Sequence, residues 1–128
     1  MKKILFLIFL LFTFIFVFDS FAKDDTTPRE LTSKERREIC REMSKSVRQT
    51  QKLRDTNAHG LHNIRKAEIK CLGRDSRNIL IRMEGMNEEE ALNFFNKKPE
   101  LKEDFRIAGY RNIYFEDFNG NRWTLVLE

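Results

Sequence analysis

The chain is poor in the residues that most enzyme signatures need. It has two histidines, two cysteines and five glycines in 128 residues. No Gly-x-Ser-x-Gly, no His-Glu-x-x-His and no phosphate-binding loop is present, so the motif-defined hydrolases, zinc peptidases and P-loop nucleotide binders lack their signatures here. Serines are few as well. Ser33 stands at a helix start, Ser44 and Ser46 on a helix and Ser76 in a turn, and none has a base suggested by spacing. The length gives a single domain. It is too short for a doubly wound dinucleotide fold or a barrel enzyme. After the first hydrophobic run no second one is long enough to cross a membrane, and residues 23–128 hold no internal repeat or low-complexity tract.

What is present divides sharply. Residues 1–22 hold 7 of the 12 phenylalanines, and the remainder carries 41 of the 44 charged residues. Met1-Lys2-Lys3 is a short positive start. Ile4 to Phe18 is apolar except for Thr13, and Ser20-Phe21-Ala22 offers small residues at a cleavage site. These are the three parts of a secretory signal peptide. The rival reading is an uncleaved anchor, but a spanning helix needs about 20 apolar residues, and Asp19 ends this run. The expectation is cleavage after Ala22 and an exported domain, periplasmic or extracellular, over residues 23–128. With no cysteine near the cleavage region, a lipid-modified cysteine is not expected.

Export changes how Cys40 and Cys71 are read. In an oxidising compartment an even count points to a disulfide. Closing a loop of about 31 residues contributes roughly 3–4 kcal/mol in the chain-entropy model. The alternative is a reactive thiol or metal pair.

The exported part opens with a long helix, expected within 29–57. Two starts compete: Thr27-Pro28-Arg29-Glu30, with proline at the first helical position, and the capping box Thr32-x-x-Glu35. Ile39, Cys40, Met43, Val47, Thr50 and Leu53 form a thin apolar stripe. On the opposite side Lys34, Arg37, Arg41, Lys45, Arg48 and Lys52 fall within an arc of about 80°. Glu30 and Asp55 lie in that arc near its ends, with Glu35, Glu38 and Glu42 flanking it. Residues 23–57 carry 10 basic and 7 acidic groups, and residues 64–128 carry 12 of each. The positive excess of the exported part therefore belongs to this segment.

The rest, 64–128, reads as hairpin, helices, hairpin. Ala67, Ile69 and Cys71 alternate with Lys66, Glu68 and Lys70, which is a half-buried strand. After turn residues 73–78, Ile79, Ile81 and Met83 mark a second strand, paired antiparallel with the first. Asn87 caps a helix that Glu90 closes as a box. That helix buries Ala91, Leu92, Phe94 and Phe95. Pro99–Ala108 is another helix, with Leu101, Phe105 and Ala108 inward and Gly109 at its C-terminal cap. The last hairpin turns around Asn119-Gly120. A two-residue loop pairs Glu116 with Trp123. A three-residue loop, Asn119-Gly120-Asn121, pairs Phe118 with Arg122 and gathers Ile113, Phe115, Trp123, Leu125 and Leu127 on one face. The better apolar face favours the second register, with Asn121 in the left-handed position. The fold class is α+β in the order α-β-β-α-α-β-β, with a four-stranded antiparallel sheet and helices on one face.

Gly109-Tyr110-Arg111-Asn112-Ile113-Tyr114-Phe115, continued by Gly120-Asn121-Arg122-Trp123, resembles the Gly-aromatic-x-x-Val/Ile-x-Phe…Gly-x-x-Trp ending of small exported bacterial proteins of unknown function. The resemblance implies a helix-then-hairpin ending and export, and carries over no catalytic residue.

Functional candidates follow from these patterns. His59 and His62 flank Gly60-Leu61 in a connector, but a zinc site needs three or four ligands and no third stands at a convincing spacing. No metal or cofactor is expected. Glu88, Glu89 and Glu90 are explained by the positive end of a helix dipole before glycoside chemistry is needed. The basic arc is the strongest candidate. Cations at this spacing attract an anionic envelope component or an acidic protein. Nucleic acid is disfavoured by export and by the lack of aromatics among the cations. The leading expectation is a small exported non-enzymatic binding protein that engages an anionic or acidic partner through Lys34, Arg37, Arg41, Lys45, Arg48 and Lys52. Its alternatives are a small secreted hydrolase using His59 or His62, and a structural accessory subunit of an envelope complex.

Overall fold

Thr32 starts the first helix. Its hydroxyl accepts from the Glu35 amide at 3.2 Å, and the Glu35 carboxylate accepts from the Thr32 amide at 3.0 Å. Each of the two groups satisfies a helix-end donor that has no intrahelical acceptor. Of the two starts this box is the one used, and α1 spans Ser33–Asp55. The computed structural model describes residues 29–56 and 65–127. The leader, Thr27-Pro28 and the pair His59 and His62 lie outside the described residues.

The elements that follow are β1 (Ala67–Leu72), β2 (Asn78–Met83), α2 (Glu88–Leu92), α3 (Pro99–Ala108), β3 (Asn112–Glu116) and β4 (Arg122–Val126). They have the expected α+β order. The sheet runs β1-β2-β3-β4. Its outer pairs are antiparallel hairpins, but β2 and β3 are parallel. The sheet is therefore mixed, not antiparallel throughout. The cause is the connection. The chain leaves the end of β2, crosses the helical layer through α2 and α3, and re-enters beside the start of β2, which is how a crossover makes a parallel pair.

One sheet face carries the core. Ala67, Ile69, Ile79, Ile81, Met83, Ile113 and Phe115 are buried there, against Ile39, Met43 and Val47 of α1 and Leu101 and Phe105 of α3. Aromatic contacts extend the packing, with Phe94 lying 5.2 Å from Phe115 and Phe105 5.5 Å from Tyr110, centroid to centroid. Two leucines expected inside are outside: Leu53 is 46% and Leu92 49% exposed. Gln51 already reaches the Arg65 carbonyl, at 2.8 Å, before β1 begins, so Leu53 lies past the strand. Leu92 ends α2, and the turn beyond it delivers Phe94 and Phe95 inward instead. Asn87 caps α2 through the Glu90 amide at 2.8 Å. Glu90 does not close a box. Its carboxylate receives Arg65 at 2.7 Å and the Asn87 side-chain amide at 3.2 Å.

The last hairpin keeps the expected faces but not the expected loop. Phe115 pairs with Trp123 and Ile113 with Leu125. Asp117 and Asn121 form the closing pair, the Asp117 amide donating to the Asn121 carbonyl at 3.1 Å. The loop is thus Phe118-Asn119-Gly120, and Phe118 does not pair with Arg122. Gly120, at φ 97°, takes the left-handed position that had been expected of Asn121. Asp117 decides this. Its carboxylate accepts from the Asn119 and Asn121 amides, both at 2.9 Å, and from the Asn121 side chain at 2.8 Å. Those bonds, the Asn121 side chain's first, hold its pKa below the ordinary value.

The start of α1 is tied down by Arg36, which is 2% exposed. Its guanidinium donates to the Leu31 and Ala108 carbonyls and twice to the Asp75 carbonyl, at 3.2 and 2.9 Å. Burial first, then the nearby Arg77 charge, draws its pKa below the usual value, yet an arginine stays charged. Gly109 makes the site possible. It ends α3 at φ 105°, and a Cβ there would stand 2.7 Å from one Arg36 nitrogen and 3.0 Å from an Arg77 nitrogen. The Tyr110 hydroxyl completes the node, donating to the Arg36 carbonyl at 2.9 Å. Burial pushes that phenol's pKa up.

A candidate binding groove along the first helix

Two contacts set how α1 lies on the sheet. Near its start Cys40 is disulfide-bonded to Cys71, with the Cα atoms 5.8 Å apart. Near its end Gln51 bonds to Arg65. Early helix thus meets late strand, so α1 runs antiparallel to β1 and alongside its length. The expected disulfide is formed and fastens the helix to the first strand.

With the apolar stripe turned inward, helical geometry places the cations outward. Lys34, Arg37, Arg41, Lys45, Arg48 and Lys52 are all exposed. Lys45 lies 3.7 Å from Glu42, and Arg37 donates to the Ser33 carbonyl at 3.4 Å. Among the described residues Lys34, Arg41, Arg48 and Lys52 have no ion pair or side-chain hydrogen bond. The flanking acids are partly engaged elsewhere. Glu35 pairs with Arg29 at 2.7 Å and Glu30 with Arg77 at 3.2 Å. The Arg29 bond first, then the Thr32 amide, lowers the Glu35 pKa to about 2.

Between α1 and β1 lies a groove of about 650 Å³. Arg37, Arg41, Lys45 and Arg48 line it from the helix, and Glu68 and Lys70 from the strand. Val47, Ala67, Ile69 and the disulfide make its apolar part. Glu68 is held by Arg82 at 3.4 Å, which leaves the lining strongly positive. Four of the six arc residues therefore share one concave surface, while Lys34 and Lys52 lie beyond its two ends. The edge of β1 forms the groove's other wall, and sequence reasoning missed it: the alternation of Ala67, Ile69 and Cys71 with Glu68 and Lys70 was visible, but not that β1 would be an outer strand beside the helix. Lys70 itself shares the opposite sheet face with Glu68. Arg36 was missed as well, although it stands three residues before Ile39 and four before Cys40, in the phase of the apolar stripe.

Among the described residues no helix is long and apolar enough to cross a membrane, and no group of three His, Cys, Asp or Glu is placed to hold a metal ion. No protein-family model, curated protein or solved structure matches the chain.

Proposed function

We propose that this is a small exported binding protein, non-enzymatic, that engages an anionic or acidic partner through the basic face of α1. The carrying observation is the groove: Arg37, Arg41, Lys45 and Arg48 converge on it, and Arg41 and Arg48 have no carboxylate of their own among the described residues. Like charges one helical turn apart repel one another, and an incoming anion relieves that repulsion. They also raise the encounter rate with an acidic partner. The disulfide supports an oxidising location, because such bonds persist in exported proteins and are rare in reducing compartments.

The test uses polyglutamate as the acidic probe. Arg37, Arg41 and Arg48 are all exposed, so changing each to Glu leaves the core intact. The variant is expected to keep the wild-type urea midpoint and to lose at least about tenfold in affinity, since each contact to a charged group contributes about 1.5–3 kcal/mol. Equal affinity in the two proteins refutes the reading.

A further inference from the structure

We propose that the groove takes an extended acidic polypeptide segment, which adds to β1 as a fifth strand. The inference rests on the reading above and names the partner's form.

Among the described residues β1 is an outer strand of the sheet, hydrogen-bonded to β2 alone. Its six pairs with β2, Ala67 with Met83 through Leu72 with Asn78, run without a bulge. The Glu84 amide donates to the Lys66 carbonyl at 2.9 Å, which fixes the phase of the ladder. Lys66, Glu68, Lys70 and Leu72 therefore turn their peptide groups to β2. In an antiparallel ladder the alternate residues turn theirs the other way. The amides and carbonyls of Ala67, Ile69 and Cys71 thus point to the open side, and no described residue pairs with them. An unpaired row of this kind is a template for an incoming strand.

The charges lie along the same edge. From Arg37 to Arg48 the helix rises about 16 Å. Five residues of extended chain span a similar length, about 16 Å. A segment paired with β1 thus runs beneath the whole cationic row. Its side chains on the helix side meet Arg37, Arg41, Lys45 and Arg48, so acidic residues belong at alternate positions. The charge argues against a second copy of this chain on the same edge, because β1 against β1 brings two basic ridges together. The opposite edge differs. Arg122 on β4 is already engaged by Glu116, so it offers no comparable row.

The experiment is a titration of the purified protein with an alternating Glu-Thr peptide of about ten residues, long enough to exceed β1. Two further peptides carry N-methyl groups on every glutamate or on every threonine. Successive amides of a strand point to opposite edges, so only one methylated set removes donors facing β1. That set is expected to lose about tenfold or more in affinity, several hydrogen bonds being removed at once, and the other set to bind like the parent. Amide exchange at Ala67, Ile69 and Cys71 is expected to slow on binding. If both methylated peptides bind as the parent does and those amides stay unprotected, strand addition is wrong while the basic-face reading stands. If the Arg37→Glu, Arg41→Glu, Arg48→Glu protein binds the parent peptide unchanged, the basic-face reading itself fails. Binding to phosphatidylglycerol vesicles without binding to the peptide replaces the proposed partner with a membrane surface, and overturns the inference. Protection of the same amides by self-association, with no peptide added, overturns it too.

Discussion

Two rows of charge cross this small domain, and they are built on opposite plans. On the open face of the sheet Glu68, Arg82, Glu116 and Arg122 stand side by side over four strands. Their signs alternate, and each contact is made: Arg82 meets Glu68 at 3.4 Å and Glu116 at 2.9 Å, and Arg122 donates to Glu116 at 2.8 Å. Arg122 first, then Arg82, draws the Glu116 pKa below the usual carboxylate range. Along α1 the row has one sign. Its members are exposed, and Arg41 and Arg48 meet no carboxylate among the described residues. Cross-strand pairs of opposite charge stabilise a sheet, and like charges on a helix face do the reverse. The first row therefore serves the fold. The second costs the fold a little and leaves a field for something outside it.

Four perturbations separate the two regions, from the largest effect to the smallest. The disulfide positions the basic row, because it is the covalent link between α1 and β1. Replacing Cys40 and Cys71 by serine is expected to lower unfolding free energy by about 3–4 kcal/mol in the chain-entropy model, read as a fall in the urea midpoint. A loss below about 1 kcal/mol means that packing alone holds the helix. Next come adjacent arginines with opposite fates. Arg36→Leu takes the donor from the Leu31 and Asp75 carbonyls, while the Ala108 carbonyl keeps the Leu31 amide at 3.0 Å, and each unsatisfied buried group costs about 1–3 kcal/mol. A total near 3 kcal/mol is expected by denaturant titration. Arg37→Leu at the surface is expected within about 0.5 kcal/mol of wild type.

A smaller contrast tests the rows directly. Glu116→Gln removes the anion shared by Arg82 and Arg122 and is expected to cost about 1 kcal/mol. Arg41→Gln is expected to be neutral or slightly stabilising, because it relieves like-charge repulsion. Similar losses in both variants erase the distinction. The last perturbation is acid. The Glu35 carboxylate is held at about 2 in the folded chain, below its ordinary 4.5. A lowered folded pKa means that its contribution is fully present above pH about 4.5 and fades as pH falls towards about 2. Glu35→Gln keeps an oxygen for the Thr32 amide but loses the charge that pairs with Arg29, so it is expected to cost up to about 1 kcal/mol at neutral pH and to flatten the stability curve in that acid window. An unchanged curve contradicts the assignment.

Much of this arrangement is legible in the sequence because it depends on short-range periodicity. Thr32-x-x-Glu35 marks the helix start, a four-residue rhythm of lysine and arginine marks the outward face, and alternation marks β1 and β3. Cys40 and Cys71 fit the compartment that the leader suggests. What escapes is set by long-range geometry. The parallel pairing of β2 with β3 follows from the path through α2 and α3, which no local pattern encodes. The hairpin loop begins one residue early because Asp117 gathers amide donors that are not visible until the chain turns. Arg36 is buried because the carbonyls of two distant segments, at Asp75 and Ala108, converge on it with that of nearby Leu31. The groove has the same origin: its helical half is periodic, but its other half exists only because β1 ends the sheet beside α1.

The most direct test of the account is the salt dependence of polyglutamate binding, compared between the wild type and a protein with Arg37, Arg41 and Arg48 all changed to Gln. Charge-driven binding weakens steeply as salt screens it. The account predicts a steep fall in affinity with rising salt for the wild type and a much shallower one for the variant. The same slope in both proteins would contradict it.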